Sequence, residues 1–174
     1  MDITQLILDE HQQQRNLFAL IDQIDPGDTP ALGAIWRRLR GLLDAHAEAE
    51  ERFFYPRLLQ IGTGGNDAPS AKEETEDAIE DHNEIRDAAA EVDKHPVGSD
   101  AWFKAVGDCN KANGDHMAEE ERQGLTDFRR HASLAERHAF GIRLAAFEAE
   151  HLMGVEPVDK DPKQWVKDHA PSKP

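Results

Sequence analysis

His46-Ala-Glu-Ala-Glu-Glu-Arg52 is the stretch that decides how this chain reads. It sets His46 and Glu50 four residues apart. On an α-helix that spacing stacks both side chains on one face, one turn above the other. An imidazole and a carboxylate placed so can grip one metal ion, or two neighbouring ones. A single copy is a common accident of polar helix surfaces. Here the stretch recurs: His116-Met-Ala-Glu-Glu-Glu-Arg122 repeats the His, the Glu four residues on (Glu120), the second Glu and the Arg.

Upstream of His46, the residues Leu32, Ile35, Leu39 and Leu42 mark an apolar helical stripe, and His46, Glu50 and Phe53 continue it. A buried carboxylate is costly unless a cation or strong hydrogen bonds offset its desolvation. Glu51 lies about 100° further round and is expected on the polar side. Thr29-Pro30 reads as N-cap and first helical residue. Pro56 is expected to kink the helix near its end, and residues 62–69 read as a loop.

Three further helices share this logic. Asp2 with Gln5 resembles a capping box, followed by Ile7, His11, Gln14, Phe18 and Ile21 at helical spacing up to a turn at residues 25–28. Ser70 with Glu73 opens a helix whose stripe is Thr75, Ala78, His82, Ile85, Ala89 and Val92. Ser99 or Asp100 caps the next, with Trp102, Val106, Cys109, Asn113, His116 and Glu120 inward. Ser133 with Glu136 starts a fifth helix running to about Leu152. The Pro-punctuated tail from Gly154 reads as an irregular extension pinned by Trp165 and Val166. His131, His138 and His151 match no carboxylate on a stripe and read as surface residues.

The first and third helices also repeat. Leu8-Asp-Glu-His11-Gln-Gln-Gln-Arg15 parallels Ile79-Glu-Asp-His82-Asn-Glu-Ile-Arg86. His46 follows His11 by 35 residues, and His116 follows His82 by 34. The chain is therefore two copies of one helical hairpin. The expected fold is all-α: an up-down-up-down four-helix bundle over residues 1–130, with the fifth helix and tail over 131–174 packed on it or extending from it. His11, His46, Glu50, His82, His116 and Glu120 then converge at one depth. Mixed N/O ligands without thiolate suit iron, manganese or zinc. Asp9, Glu10, Glu80 and Asp81 are expected to face solvent or to orient the ligands.

Composition narrows the partners. The 174 residues carry 20 Lys+Arg against 35 Asp+Glu, a formal charge of −15, which argues against nucleic acid or an anionic membrane. The single cysteine, Cys109, excludes an intrachain disulfide and a thiolate cluster. Neither a signal peptide nor a membrane span is legible, so a cytoplasmic, soluble protein is expected, as a monomer or weak dimer.

The pattern H…HxxxE…H…HxxxE resembles the haemerythrin-like family, the HHE cation-binding domain. That resemblance implies a non-haem di-iron centre, two oxo- and carboxylate-bridged Fe ions, held by the six His and Glu residues with both Glu bridging. It also implies a small-molecule ligand: O2, peroxide or NO. Two departures bear on function. Oxygen carriers of the family have a second His one turn after the third-helix His, where this chain has Arg86. They end in His-x-x-x-x-Asp, where this chain has His116-x-x-x-Glu120. A typical reversible O2 carrier is therefore not expected. Tyr55, the only tyrosine, resembles a Tyr that some relatives use as a ligand. Peroxide- or NO-directed oxidoreductase activity and a non-catalytic iron, redox or oxygen sensor both stay open, with the fifth helix and tail as a sensor's output element.

Overall fold

The structure, a computed structural model, describes residues 1–65 and 70–171. The rest of the expected 62–69 loop lies outside the described residues. Helix α1 spans Ile3–Ile21, capped by Asp2, whose carboxylate accepts from the Thr4 N–H. The Gln5 side chain turns to Asp9 at 2.9 Å, so this cap is single rather than reciprocal. Helix α2, Thr29–Ala49, is capped by Asp28, one residue earlier than the sequence suggests, with Pro30 in its first turn. A π-helical segment, Glu50–Phe54, continues it, and α3 follows over Tyr55–Ile61. Pro56 accounts for the widened turn. It has no N–H, and its ring would collide with the carbonyl four residues back in a regular α-helix. The expected kink thus takes the form of a π-helical turn ahead of the proline.

Helix α4 covers Ala71–Val92 and α5 covers Asp100–Arg122, capped by Ser70 and Ser99. Gly98, at φ +83°, makes the turn between them. At Gln123 the backbone leaves helical angles (φ −106°, ψ −80°), and α6 continues over Gly124–His131. Helix α7, Leu134–Glu150, opens with the complete Ser133/Glu136 capping box, and α8 spans Pro162–His169.

Four long helices close a ring, α1 against α2, α2 against α4, α4 against α5, and α5 against α1. Their directions follow from two apolar clusters. One gathers Ile21, Leu32, Val92 and Trp102: the ends of α1 and α4 with the starts of α2 and α5. The other gathers Ile3, Phe54, Tyr55, Ala71 and Phe128 from the opposite ends. Alternate helices therefore run up and down. The His and Glu residues of the motifs belong to neither cluster and form a polar layer between them.

Helix α7 packs on α1 and α2 through Leu144 and Phe147. The tail departs from the irregular extension expected of it. Helix α8 lies on α4 with Trp165 and Val166 buried. Just before it, Asn83 clasps the backbone of Lys160, Nδ2 donating to the carbonyl at 2.8 Å and Oδ1 accepting from the N–H at 3.1 Å. An eight-residue helix has too little propensity to announce itself and forms because packing holds it. Among the described residues, no helix is long and apolar enough to cross a membrane.

Replacing Trp165 with Ala should release α8 while leaving the bundle folded. The expected outcome is tryptic cleavage after Lys160 or Lys163 at a rate the parent chain does not show, with helical circular dichroism falling only by the share of α8.

Candidate metal centre

The polar layer is almost sealed from water. His11 and Glu50 have no exposed surface, and His82, His116, His46 and Glu120 are 1%, 3%, 4% and 5% exposed. Each imidazole comes from a different long helix and turns Nε2 inward. His46 Nε2 lies 3.1 Å from Glu50 Oε1, His82 Nε2 3.3 Å from Glu50 Oε2, and His11 Nε2 3.3 Å from Glu120 Oε2. His82 and His116 bring their Nε2 atoms within 3.2 Å of each other. All six residues singled out in the sequence are thus brought together.

A second ring of carboxylates sets these orientations. His11 Nδ1 donates to Glu121 at 3.0 Å, His46 Nδ1 to Glu10 at 2.7 Å, His82 Nδ1 to Glu51 at 2.8 Å and His116 Nδ1 to Asp81 at 3.3 Å. The pattern follows the sequence repeat: the acid before each first His serves the other His of its hairpin, and the second Glu of each His-x-x-x-Glu-Glu motif serves the first His of the other hairpin. Arg15 and Arg86 in turn hold Glu121 and Glu51, at 2.6 and 2.7 Å. Fixing the proton on Nδ1 leaves the Nε2 lone pair free for a metal.

Glu51 overturns its expected place on the polar side. It is 3% exposed and bonded to His82, Arg86 and Lys160. Those three partners outweigh the burial that would raise it and take its carboxyl down to about 2. The sequence signal was present, since Glu51 and Glu121 follow the ligand motif in both copies. Helical phase alone misled, because it ignores the neighbouring helix. Lys160 carried no such signal; its contact exists only because the tail folds back. Helix α7 adds Glu148, which sits against Glu10, and burial together with that neighbour pushes it up to about 9.

Tyr55 is 1% exposed, and its hydroxyl donates to Glu120 Oε1 at 2.6 Å. The π-helical segment makes this possible. Five residues of regular α-helix would turn Tyr55 about 140° away from Glu50. The widened turn, in which the Tyr55 N–H bonds the Glu50 carbonyl, returns it toward the site. Arg86 stands one turn beyond His82, buried and committed to Glu51 and Asn83. Cys109 lies in the apolar cluster, where burial pushes its thiol up to about 12, so it is a packing residue.

The donor set fits metal cations. His11 Nε2, His46 Nε2, both oxygens of Glu50 and Oε2 of Glu120 are buried without an aligned hydrogen-bond partner. Buried polar atoms are ordinarily paired, and five orphans in one layer ask for a shared partner. Charge points the same way. Burial would lower the His46 pKa, yet the Glu50 charge holds it well above the usual value. His82 is likewise raised, to about 9, by Glu50 and Glu51 against its own burial. Three groups meet metal-binding geometry among the described residues, His11–His46–Glu50, Glu50–His82–His116 and Glu10–His46–Glu148, and Glu50 belongs to the first two.

Fold and site together define a helical-bundle, cation-binding domain. Residues 2–142 match the family model for the hemerythrin HHE cation binding domain, and the chain belongs to that family. No curated protein and no solved structure gives a significant match.

Glu51→Ala tests the outer carboxylate ring. It removes the Nδ1 partner of His82 and one of the partners of Arg86 and of Lys160, so metal affinity should fall about 10–100-fold. Glu80→Ala, on the exposed face of α4, should leave affinity unchanged when both are titrated with Co2+.

Proposed function

We propose that the chain is a non-haem di-iron protein that binds or reacts with a small oxidant, O2, peroxide or NO, and is not a reversible oxygen carrier. The observation that carries this reading is the set of unpartnered Nε2 and carboxylate atoms converging on one buried layer. His11 and His46 would hold one ion and His82 and His116 the other, with Glu50 and Glu120 reaching both. Iron would supply the one-electron chemistry that protein side chains lack.

The residues of the chain have separate tasks in this reading. Glu10, Glu51, Asp81 and Glu121 keep each Nδ1 protonated and each Nε2 aimed inward. The apolar clusters on both sides exclude water. Tyr55 holds Glu120 through its hydrogen bond, and to ligate iron as a phenolate it would pass that proton to Glu120. Arg86 cannot ligate, since its guanidinium stays protonated, and its bond to Glu51 fixes it away from the centre. The imidazole that an oxygen carrier has at this turn is therefore missing, which favours irreversible oxidation over reversible binding.

One contact favours a second reading, a non-catalytic iron or redox sensor. Lys160 of the tail binds the same carboxylate that orients His82, so a change at the centre reaches the tail directly. Steady consumption of peroxide or NO by the reduced protein would select the first reading. A metal-dependent change in tail proteolysis without turnover would select the second.

Purified protein should contain, or take up from ferrous iron, about two metal ions per chain, and His46→Ala or Glu50→Ala should remove at least one by elemental analysis. Absence of metal under both conditions would refute the proposal. Separately, the reduced protein should not return to its starting spectrum after air exposure and deoxygenation. Full recovery over repeated cycles would show that Arg86 does not prevent carriage. If Tyr55 ligates ferric iron, a visible phenolate band should be present and vanish in Tyr55→Phe.

A further inference from the structure

A cleft beside the centre carries an unexplained charge. It opens between α4 and α5 and is walled by Glu74, Asp77, Asp81 and Glu119, with no Lys or Arg among its lining residues. Asp77 and Glu119 are exposed at its mouth, while the buried His116 and Glu120 of the His/Glu layer line it further in. Its volume is about 20 Å³, room for one water or one ion.

Glu74 is the informative residue. It is 6% exposed, lines the cleft, and neither of its carboxylate oxygens has a hydrogen-bond partner among the described residues. The Gly65 amide eases its charge without closing a bond of normal geometry. Burial and the charges of Asp127 and Glu120 push its pKa up to about 7. Gly124 makes the room, for a Cβ there would stand 3.1 Å from Glu74 Oε1.

Helix packing does not require an acid at this position. Aligning His11 with His82 in the internal repeat pairs Glu74 with Ile3, which is fully buried and apolar, and Asp77 with Leu6. The first hairpin closes its flank with hydrocarbon, and the second lines the same flank with carboxylates. A negative cleft with protein walls concentrates cations at its inner end. Carboxylate oxygens alone suit hard divalent ions held loosely enough to leave again.

We propose that this cleft is a separate oxygen-lined cation site, the port through which divalent metal reaches the His/Glu centre, with Glu74 as its inner ligand and Asp77 as its outer one. The inference rests on the di-metal reading of that centre, and its test keeps the two apart. The metal-free full-length chain is mixed with Co2+, and loading of the centre is followed by stopped-flow absorbance. Glu74→Gln should slow loading about tenfold or more, in line with the rate gains that focused charge supplies, while the final absorbance matches the parent. Asp77→Asn, at the rim, should slow it several-fold. Glu80→Gln makes the same charge change on α4 outside the cleft and should leave the rate within about twofold of the parent.

Parent-like loading in both cleft variants would overturn the port. So would a lower final Co2+ content in Glu74→Gln, because Glu74 would then belong to the centre. Glu74→Gln removes an unpaired buried carboxylate, so the metal-free variant should melt no lower than the parent. If the parent binds no Co2+ through His46 and Glu50, the di-metal reading fails. The cleft is then tested in a His46→Ala background, by counting bound Mn2+ with and without Glu74→Gln by electron paramagnetic resonance. One ion fewer without Glu74 supports the site, and equal counts overturn it.

Discussion

Burying Glu50 and Glu120 among four imidazoles is the constraint on which the rest of this structure depends. Taking a carboxylate out of water costs several kcal/mol unless charge and hydrogen bonds are returned to it. The chain returns them in layers. Inner Nε2 atoms face the two Glu residues, outer carboxylates hold the Nδ1 protons, and Arg15 and Arg86 hold two of those carboxylates. Each layer fixes the rotation of a helix, because a helix turned by one residue would swing its His out of the stack by about 100°. The apolar clusters above and below supply burial energy, and the polar layer specifies how the four helices are phased.

The two hairpins solve this problem with the same residues, and their differences carry the functional argument. The Glu121 side chain is 30% exposed and held by Arg15 beside its imidazole, whereas the Glu51 side chain is buried and held by Arg86 and Lys160. One outer carboxylate thus meets solvent, and the other is covered by Lys160 of the tail. The flanks differ as well, with Ile3 closing one side and Glu74 lining the other. A symmetric sequence repeat has become a centre with two distinct sides.

Backbone geometry contributes one further device. Glu50 needs the face of α2, and Tyr55, five residues later, needs nearly the same face; a uniform α-helix does not give both. The π-helical turn over Glu50–Phe54 does, and Pro56 makes it the favoured conformation locally. Functional sites are common places for such turns because an extra residue per turn re-aims one side chain without breaking the helix.

Much of this architecture is legible in the amino-acid sequence. Apolar periodicity marks the helices, the Ser and Asp caps mark most of their starts, and the doubled His-x-x-x-Glu motif, with the repeat around His11 and His82, marks the six inward residues. These are local or repeated signals, so they survive in one dimension. The burial of Glu51, the reach of Lys160, the helical form of α8 and the carboxylate flank at Glu74 were decided by tertiary structure alone. Each depends on what a neighbouring helix or a returning tail presents to a side chain. Helical phase says which way a residue points along its own axis, but burial is set by what stands opposite. The sequence by itself therefore determined the six inward residues and the bundle, and the packing of the neighbouring helices and the tail determined which carboxylates orient the four imidazoles.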